Sequence, residues 1–509
     1  MKLTCRGRRV FFEGDREEWK TVRRALTGED PNQQMDAILV AGQWVSGKCL
    51  ARDSDRSFGI GLLPLLAARL GDELDVELAG YQGPGELVEV PVDFLQADED
   101  PEGFQELRPY QVTGISLALA HRMGVVWAGT GSGKTEMQAA VAGLLDGPVL
   151  TICKGKAARD QTLRRFKVRG LADVDTLQHT LRSPGARVLV TNAEFLGSRL
   201  RAGDREVRSI LEELEAVQFD ECHHLGSAPT WQEASAACTN AEVALGYSGT
   251  PWLSRTWANP HPNDLQIMSE LGPTVMEVPS RWLRDQRYLA KTEVRVIRVA
   301  EPKVEVDEFD EEGEPISDGE YYRRVYEEGV TENVRRNQLI LNLAGQLVKR
   351  GRKPVIIVRF HPHGQKLLHA LDRTGFKVRY VCGSETAWKI EGGELVSYRS
   401  DGQDELEGYA AGDIDLLVAS LVWEQSVDIP FVTDAINAAG EKSFRRTIQR
   451  VGRIVRRTQG KADATFWDLD DQTHSTLRRH SQSRRRDYRL ERFDIIRKVD
   501  PALLAPVHA

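Results

Sequence analysis

Ala128-Gly129-Thr130-Gly131-Ser132-Gly133-Lys134-Thr135 is the stretch on which the reading of this chain turns. It closes the apolar run Val125 to Ala128 and opens a segment with helical spacing. In such a strand–loop–helix setting, glycines let backbone N–H groups converge on phosphate oxygens, and the helix N-terminus adds positive potential. Lys134 offers a point charge to β- and γ-phosphates, and Thr135 offers a hydroxyl to Mg²⁺. Gly129, Thr130, Gly131, Ser132 and Gly133 supply the cradle, with Ala128 standing where the stricter pattern has its first glycine.

A second feature lies further along. The run Val217-Gln218-Phe219-Asp220 reads as a strand ending in Glu221-Cys222-His223-His224. The C-terminal ends of strands are where parallel sheets bind ligands, so Asp220 is placed to hold Mg²⁺ through water and Glu221 to orient an attacking water. A capped strand end or a Cys/His metal site would use the same residues, but the Cys-His-His run lacks the remaining ligand spacing.

Around these two features the chain alternates short β-branched runs with helical segments, the mark of an α/β fold with parallel sheets. One series runs from Leu107 to about Ala300, with strands at Val125 to Ala128, Val149 to Cys153, Arg187 to Thr191, Val217 to Asp220 and Val243 to Tyr247. A second follows, with strands at Pro354 to Phe360, Lys377 to Val381, Ile414 to Ala419, Asp434 to Ala438 and Ala464 to Leu469. The expected domains are a small α+β accessory unit at 1–100, a first sheet domain at 101–300 and an acidic linker or insertion at 301–320. A second sheet domain at 321–473 and a basic C-terminal tail at 474–509 complete the chain. In the accessory unit Asp15 caps a helix through Trp19 to Leu26, and strands are expected at Ala37 to Trp44 and Glu86 to Val90. The tail reads either as a solvated helix face or as a nucleic-acid contact.

Composition narrows the class. Of 509 residues 41% are hydrophobic and 28% charged, and no apolar run is long enough to span a bilayer. The start, Met1 to Arg9, has positive charge but no apolar region behind it, so a cytoplasmic location is expected. The six cysteines form no C-x-x-C pair, which argues against a disulfide framework or a zinc ribbon. A net charge of −8 argues mildly against nucleic acid, yet a local basic groove can coexist with an acidic remainder. His361-Pro362-His363 reads as a loop, and Trp252, Trp423 and Trp467 as packing residues.

Taken in order, the motifs resemble those of superfamily 2 helicases and translocases. Asp220-Glu221-Cys222-His223 resembles the family's D-E-x-H box, and Leu107-Arg108-Pro109-Tyr110-Gln111 its adenine-reading element. Leu150 to Gln161 resembles motif Ia, Val190-Thr191-Asn192 motif Ib, and Ser248-Gly249-Thr250-Pro251 motif III. Val418 to Pro430 resembles motif V, with Gln425 and Ser426 where the family has acidic and glycine-type positions, and Gln449 to Arg456 resembles motif VI. The look is closest to the XPB, UvsW and type III restriction translocase branch.

The resemblance implies two tandem RecA-like domains forming a nucleotide cleft, with ATP and Mg²⁺ as cofactors. It assigns Arg108, Gln111, Asp428 and Gln449 to ATP, and Arg450 and Arg453 to the γ-phosphate as arginine fingers. His223, Ser248 and Thr250 would couple hydrolysis to movement, and Lys156, Thr191 and Asn192 would contact nucleic acid. The implied activity is that of an ATP-dependent DNA helicase or translocase. An RNA helicase is one alternative; the other is the ATPase subunit of a larger complex, binding a protein partner through residues 1–100.

Overall fold

Apolar runs bounded by turn signals build two main sheets, one wholly and one mostly parallel, one in each of two units, Met1–Pro279 and Ser280–Ala509. The computed structural model describes residues 1–29, 37–40, 43–71, 76–81, 83–95, 106–254, 260–309, 313–382, 386–400, 402–420, 431–442 and 463–506. Among them, no helix is long and apolar enough to cross a membrane.

In the first unit the main sheet has seven strands, ordered Val174–Thr176, Val188–Asn192, Val149–Cys153, Ala216–Asp220, Val243–Ser248, Met123–Ala128 and Thr274–Val278. Every neighbouring pair is parallel. The strands bearing the glycine-rich loop, the acidic pair and Ser248 are therefore three consecutive neighbours whose following segments leave from one edge. Inward residues of this sheet, including Val125, Ile152, Val217 and Phe219, join Leu196 and Trp231 in one buried core. Burying each such side chain contributes about 1.5–3 kcal/mol, which is what fixes the strand ends relative to one another.

The first residues form a four-stranded sheet ordered Ser57–Gly59, Arg9–Glu13, Lys2–Arg6 and Glu77–Ala79. Asp15 caps the helix Arg16–Ala25 in a capping box, accepting from the Glu17 and Glu18 amides at 2.8 Å. The stretch expected as one strand at Ala37 to Trp44 is instead a hairpin of Ala37–Val40 and Gln43–Cys49. Glu86 to Val90 forms no strand, and Leu87 is 68% exposed. The core of this sheet includes Leu265 and Met268 from the helix Pro262–Leu271, and a buried Arg8 donates to the Ser235 carbonyl. These residues are thus one packed body with the first main sheet.

The second unit carries nine strands, ordered Glu394–Arg399, Thr386–Glu391, Val378–Cys382, Leu416–Ser420, Pro354–Val358, Asp434–Asn437, Asp463–Asp471, Lys291–Val299 and Asp494–Ile496. All pairs are parallel except the hairpin Thr386–Glu391 with Glu394–Arg399 and its join to Val378–Cys382.

Two expectations change here, the sheet that Lys291–Val299 joins and the loop at His361. Lys291–Val299, placed by its position in sequence with the first domain, pairs with Asp463–Asp471 in the second sheet, because alternation shows which face a strand buries but not its neighbour. The acidic stretch is partly ordered: Phe309 bridges Pro315, and Ser317 caps the helix Asp318–Tyr326. The basic tail, read as a solvated helix face or a nucleic-acid contact, holds the helix Ser475–Leu490, which packs one face on the sheet with Arg484 buried and leaves Arg478, Arg479, Arg486 and Arg489 exposed; Asp494–Ile496 adds a strand. His361-Pro362-His363 opens the helix His361–Asp372 rather than a loop; His363 is buried, hydrogen-bonded to Asn337 Oδ1 at 2.9 Å.

Candidate nucleotide site

The glycine-rich loop owes its shape to two left-handed residues, Gly131 (φ +80°) and Gly133 (φ +77°), the second capping the helix Lys134–Leu144. A Cβ at Gly133 would strike the Gln111 amide. Gln111, fully buried, donates through Nε2 to the Ser132 carbonyl at 3.0 Å, while its Oε1 accepts from the Arg108 amide at 2.8 Å. The Tyr110 hydroxyl donates to the same Ser132 carbonyl at 2.6 Å, and Arg108 Nη1 donates to Tyr110 at 3.0 Å. Arg108, Tyr110 and Gln111 therefore brace the loop from the start of the helix Pro109–His121. On the other side Trp127 donates to the Gly249 carbonyl at 3.0 Å, setting motif III against the loop.

Lys134 Nζ donates to the Ala128 carbonyl at 3.4 Å. Four residues further along the same helix face, the buried Gln138 reaches Asp220 Oδ1 at 3.4 Å. Sequence reading passed over Gln138, although the one-turn spacing from Lys134 was the available signal. Burial and the adjacent Glu221 carboxylate push the Asp220 carboxyl up, to about 6, against the pull of Lys134. Beneath the loop, Glu136 meets Arg165 and Arg169; they hold its carboxyl below the usual range although burial opposes them.

Glu221 has a left-handed backbone (φ +55°, ψ +48°), rare for a non-glycine residue. Its Oε2 accepts from Ser248 Oγ at 3.3 Å and lies 3.3 Å from His223 Nδ1. His223 Nδ1 and Ser248 Oγ are hydrogen-bonded at 3.0 Å, and the Thr250 amide donates to Ser248 Oγ at 3.1 Å. Glu221, His223, Ser248 and Thr250 thus form one network.

The three expected nucleic-acid contacts lie at or just beyond two neighbouring strand ends, with Glu194 accepting from both Asn192 and the Gly155 amide, but differ in exposure. Lys156 is exposed on the helix Gly155–Val168. Thr191 is buried, and the Asn192 amide is engaged by Gln178 at 3.1 Å and Glu194 at 3.0 Å. Trp252 donates to Thr274 Oγ1 at 2.9 Å and Trp467 to Asp434 Oδ1 at 2.8 Å, so both pack as expected. Trp423, Gln425, Ser426, Asp428, Gln449, Arg450 and Arg453 lie outside the described residues.

A family described as "Type III restriction enzyme, res subunit" matches residues 104–253, and one described as "Helicase conserved C-terminal domain" matches residues 340–458. The DNA 3'-5' translocase XPB2 of Sulfurisphaera tokodaii is 22% identical over 389 residues, covering 70% of this chain and 80% of its own. A candidate helicase, number 22, of Sulfolobus islandicus filamentous virus is 22% identical over 389 residues, covering 72% of this chain but only 64% of its own length. Among solved structures, the DUF1998 helicase MrfA bound to DNA aligns with a TM-score of 0.53 at 15% identity, over 82% of this chain and 54% of that one. That likeness shows the fold of the two main sheets, two tandem RecA-like domains, which here follow the small N-terminal sheet. With both conserved domains in order, the chain belongs to superfamily 2 of the helicases and translocases.

Proposed function

We propose that the chain is an ATP-dependent DNA helicase or translocase, hydrolysing ATP in a nucleic-acid-stimulated reaction and coupling it to movement on DNA. The network from Glu221 through His223 and Ser248 to Thr250 carries the proposal. It ties the carboxylate suited to orienting water to the motif suited to transmitting the outcome. In this reading Gly129 to Gly133 and Lys134 hold the triphosphate, Arg108 and Gln111 belong to the adenine side, where Gln111 must give up its hold on Ser132 or Arg108 to touch the base, and Glu221 accepts the proton of the attacking water. Arg450 and Arg453 supply charge to the γ-phosphate, with Asp428 and Gln449 also on the nucleotide.

The residues fit Mg²⁺. Thr135 and Asp220 offer hard oxygen donors, and a buried carboxyl raised by its acidic neighbour is one that a cation would return to its charged form. When bound, the ion would neutralise charge on the β- and γ-phosphate oxygens. On the nucleic-acid side Lys156 meets phosphates, with Thr191 and Asn192 at the end of the neighbouring strand. Six cysteines without a disulfide favour a reducing, cytoplasmic setting.

ATP turnover measured with single-stranded, duplex and forked DNA and with RNA tests the proposal. Stimulation by DNA is expected, and Lys134→Ala is expected to abolish it while the fold survives, because that side chain sits at the loop and not in a core. Stimulation by RNA alone would favour the RNA helicase reading, and wild-type turnover in folded Lys134→Ala would sink the assignment.

A further inference from the structure

Three helices of the second unit send one buried side chain each to the same short piece of backbone. Arg336, from Val334–Lys349, donates through Nη1 to the Ala438 carbonyl at 3.0 Å. Tyr326, the last residue of Asp318–Tyr326, donates its hydroxyl to the Ala439 carbonyl. Arg484, from Ser475–Leu490, donates through Nη1 to the Gly440 carbonyl at 2.8 Å and the Glu441 carbonyl at 3.0 Å. Four consecutive carbonyls are thereby satisfied by side chains that are themselves 0–1% exposed.

Both guanidinium groups are held in turn by the strand Asp463–Asp471. Arg336 pairs with Asp471 at 2.8 Å, and Arg484 contacts both Asp468 oxygens at 3.0 Å. Asn437, just before the gripped stretch, donates to Asp468 at 2.9 Å. Gly440 has φ +66°, and the space beside it is bounded by the Arg336 and Asp471 side chains.

Burying two ion pairs is an expensive way to satisfy four carbonyls, since well-packed apolar groups of the same volume are often as stable. What ion pairs with forked hydrogen bonds supply is a single geometry. The backbone so fixed runs from the end of Asp434–Asn437 towards Gln449-Arg450-Val451-Gly452-Arg453.

We propose that Tyr326, Arg336 and Arg484 are positioning residues for ATP hydrolysis, holding the Ala438 to Glu441 backbone so that the segment bearing Arg450 and Arg453 starts from one fixed place. This rests on the proposed role of Arg453 in turnover.

Tyr326→Phe is the sharpest test, because it deletes one hydroxyl and keeps the packing; Arg484→Lys, which keeps the charge and loses the fork, is the companion. DNA-stimulated ATPase, with kcat and KM separated, is measured for Tyr326→Phe, Arg453→Ala and the double variant, alongside thermal melting. Tyr326→Phe is expected to lower kcat about fivefold, the effect of one hydrogen bond, with KM for ATP unchanged. In the Arg453→Ala background it should cost nothing more, since the group it positions is gone. Wild-type kcat in folded Tyr326→Phe, or an equal further loss in the double variant, would overturn the inference while leaving the functional reading intact. Wild-type turnover in Arg453→Ala would overturn the motif's role, and this inference with it.

Discussion

Glu221 joins a strained backbone to a chemical task. An L-residue in the left-handed region costs about 1–2 kcal/mol, and such strain persists where surrounding contacts over-determine it, here Ser248 and His223. Glycine would relieve the strain and alanine would keep it. Glu221→Gly is therefore expected to be more stable than Glu221→Ala by about 1 kcal/mol in denaturant unfolding, with both failing to turn over ATP. Glu221→Gln should bind ATP and hydrolyse it slowly, because the phosphate cradle is untouched. Equal stability of the glycine and alanine variants would mean that the backbone carries no strain. The Asp220-Glu221-Cys222-His223 string was readable from the chain alone. The left-handed turn within it was not, since one of the two groups that hold it, Ser248, lies 27 residues away.

At the scale of elements, the helix Ser475–Leu490 shows what charge counting leaves out. Arg478, Arg479, Arg486 and Arg489 are exposed, as a solvated basic face requires, but Arg484 is buried on Asp468 and Arg485 pairs with Asp470. Both acids sit on Asp463–Asp471, whose apolar residues marked it as a strand while its acids gave no hint of a helix above them. Arg484→Ala is expected to destabilise the second unit by about 3–5 kcal/mol, because it strands Asp468 in the core. Arg484→Met combined with Asp468→Leu should recover much of that, and whatever loss remains measures the Gly440 and Glu441 carbonyl contacts. Calorimetry on the two variants decides it, and an Arg484→Ala variant as stable as the wild type would contradict the buried pair.

For the whole molecule, the two parallel sheets were legible because apolar runs, turn residues and phosphate-loop spacing all carry a period or a fixed order. Sheet membership was not, and Lys291–Val299 and Asp494–Ile496 join the second sheet through pairing that no local pattern encodes. That rearrangement also changes where a chain of net charge −8 can meet a polyanion. Arg298 and Arg497 are brought beside Arg485, Val296, Asp470 and Gln472 around a cavity of about 420 Å³. Asp470 is already engaged by Arg485 and by Gln472 at 2.7 Å. Among the described residues no carboxylate pairs with Arg298 or Arg497, so their charge remains available to phosphates. Deleting residues 474–509 would not test this, since it would also remove Arg484 and an edge strand. Arg298→Ala with Arg497→Ala tests it cleanly. Each phosphate contact contributes about 0.7–0.9 to the slope of log affinity against log salt, so the double variant should bind DNA more weakly and lose up to about 2 from that slope, its melting temperature unchanged. An unaltered slope would assign these arginines to solvent and leave DNA to Lys156 and the motif loops.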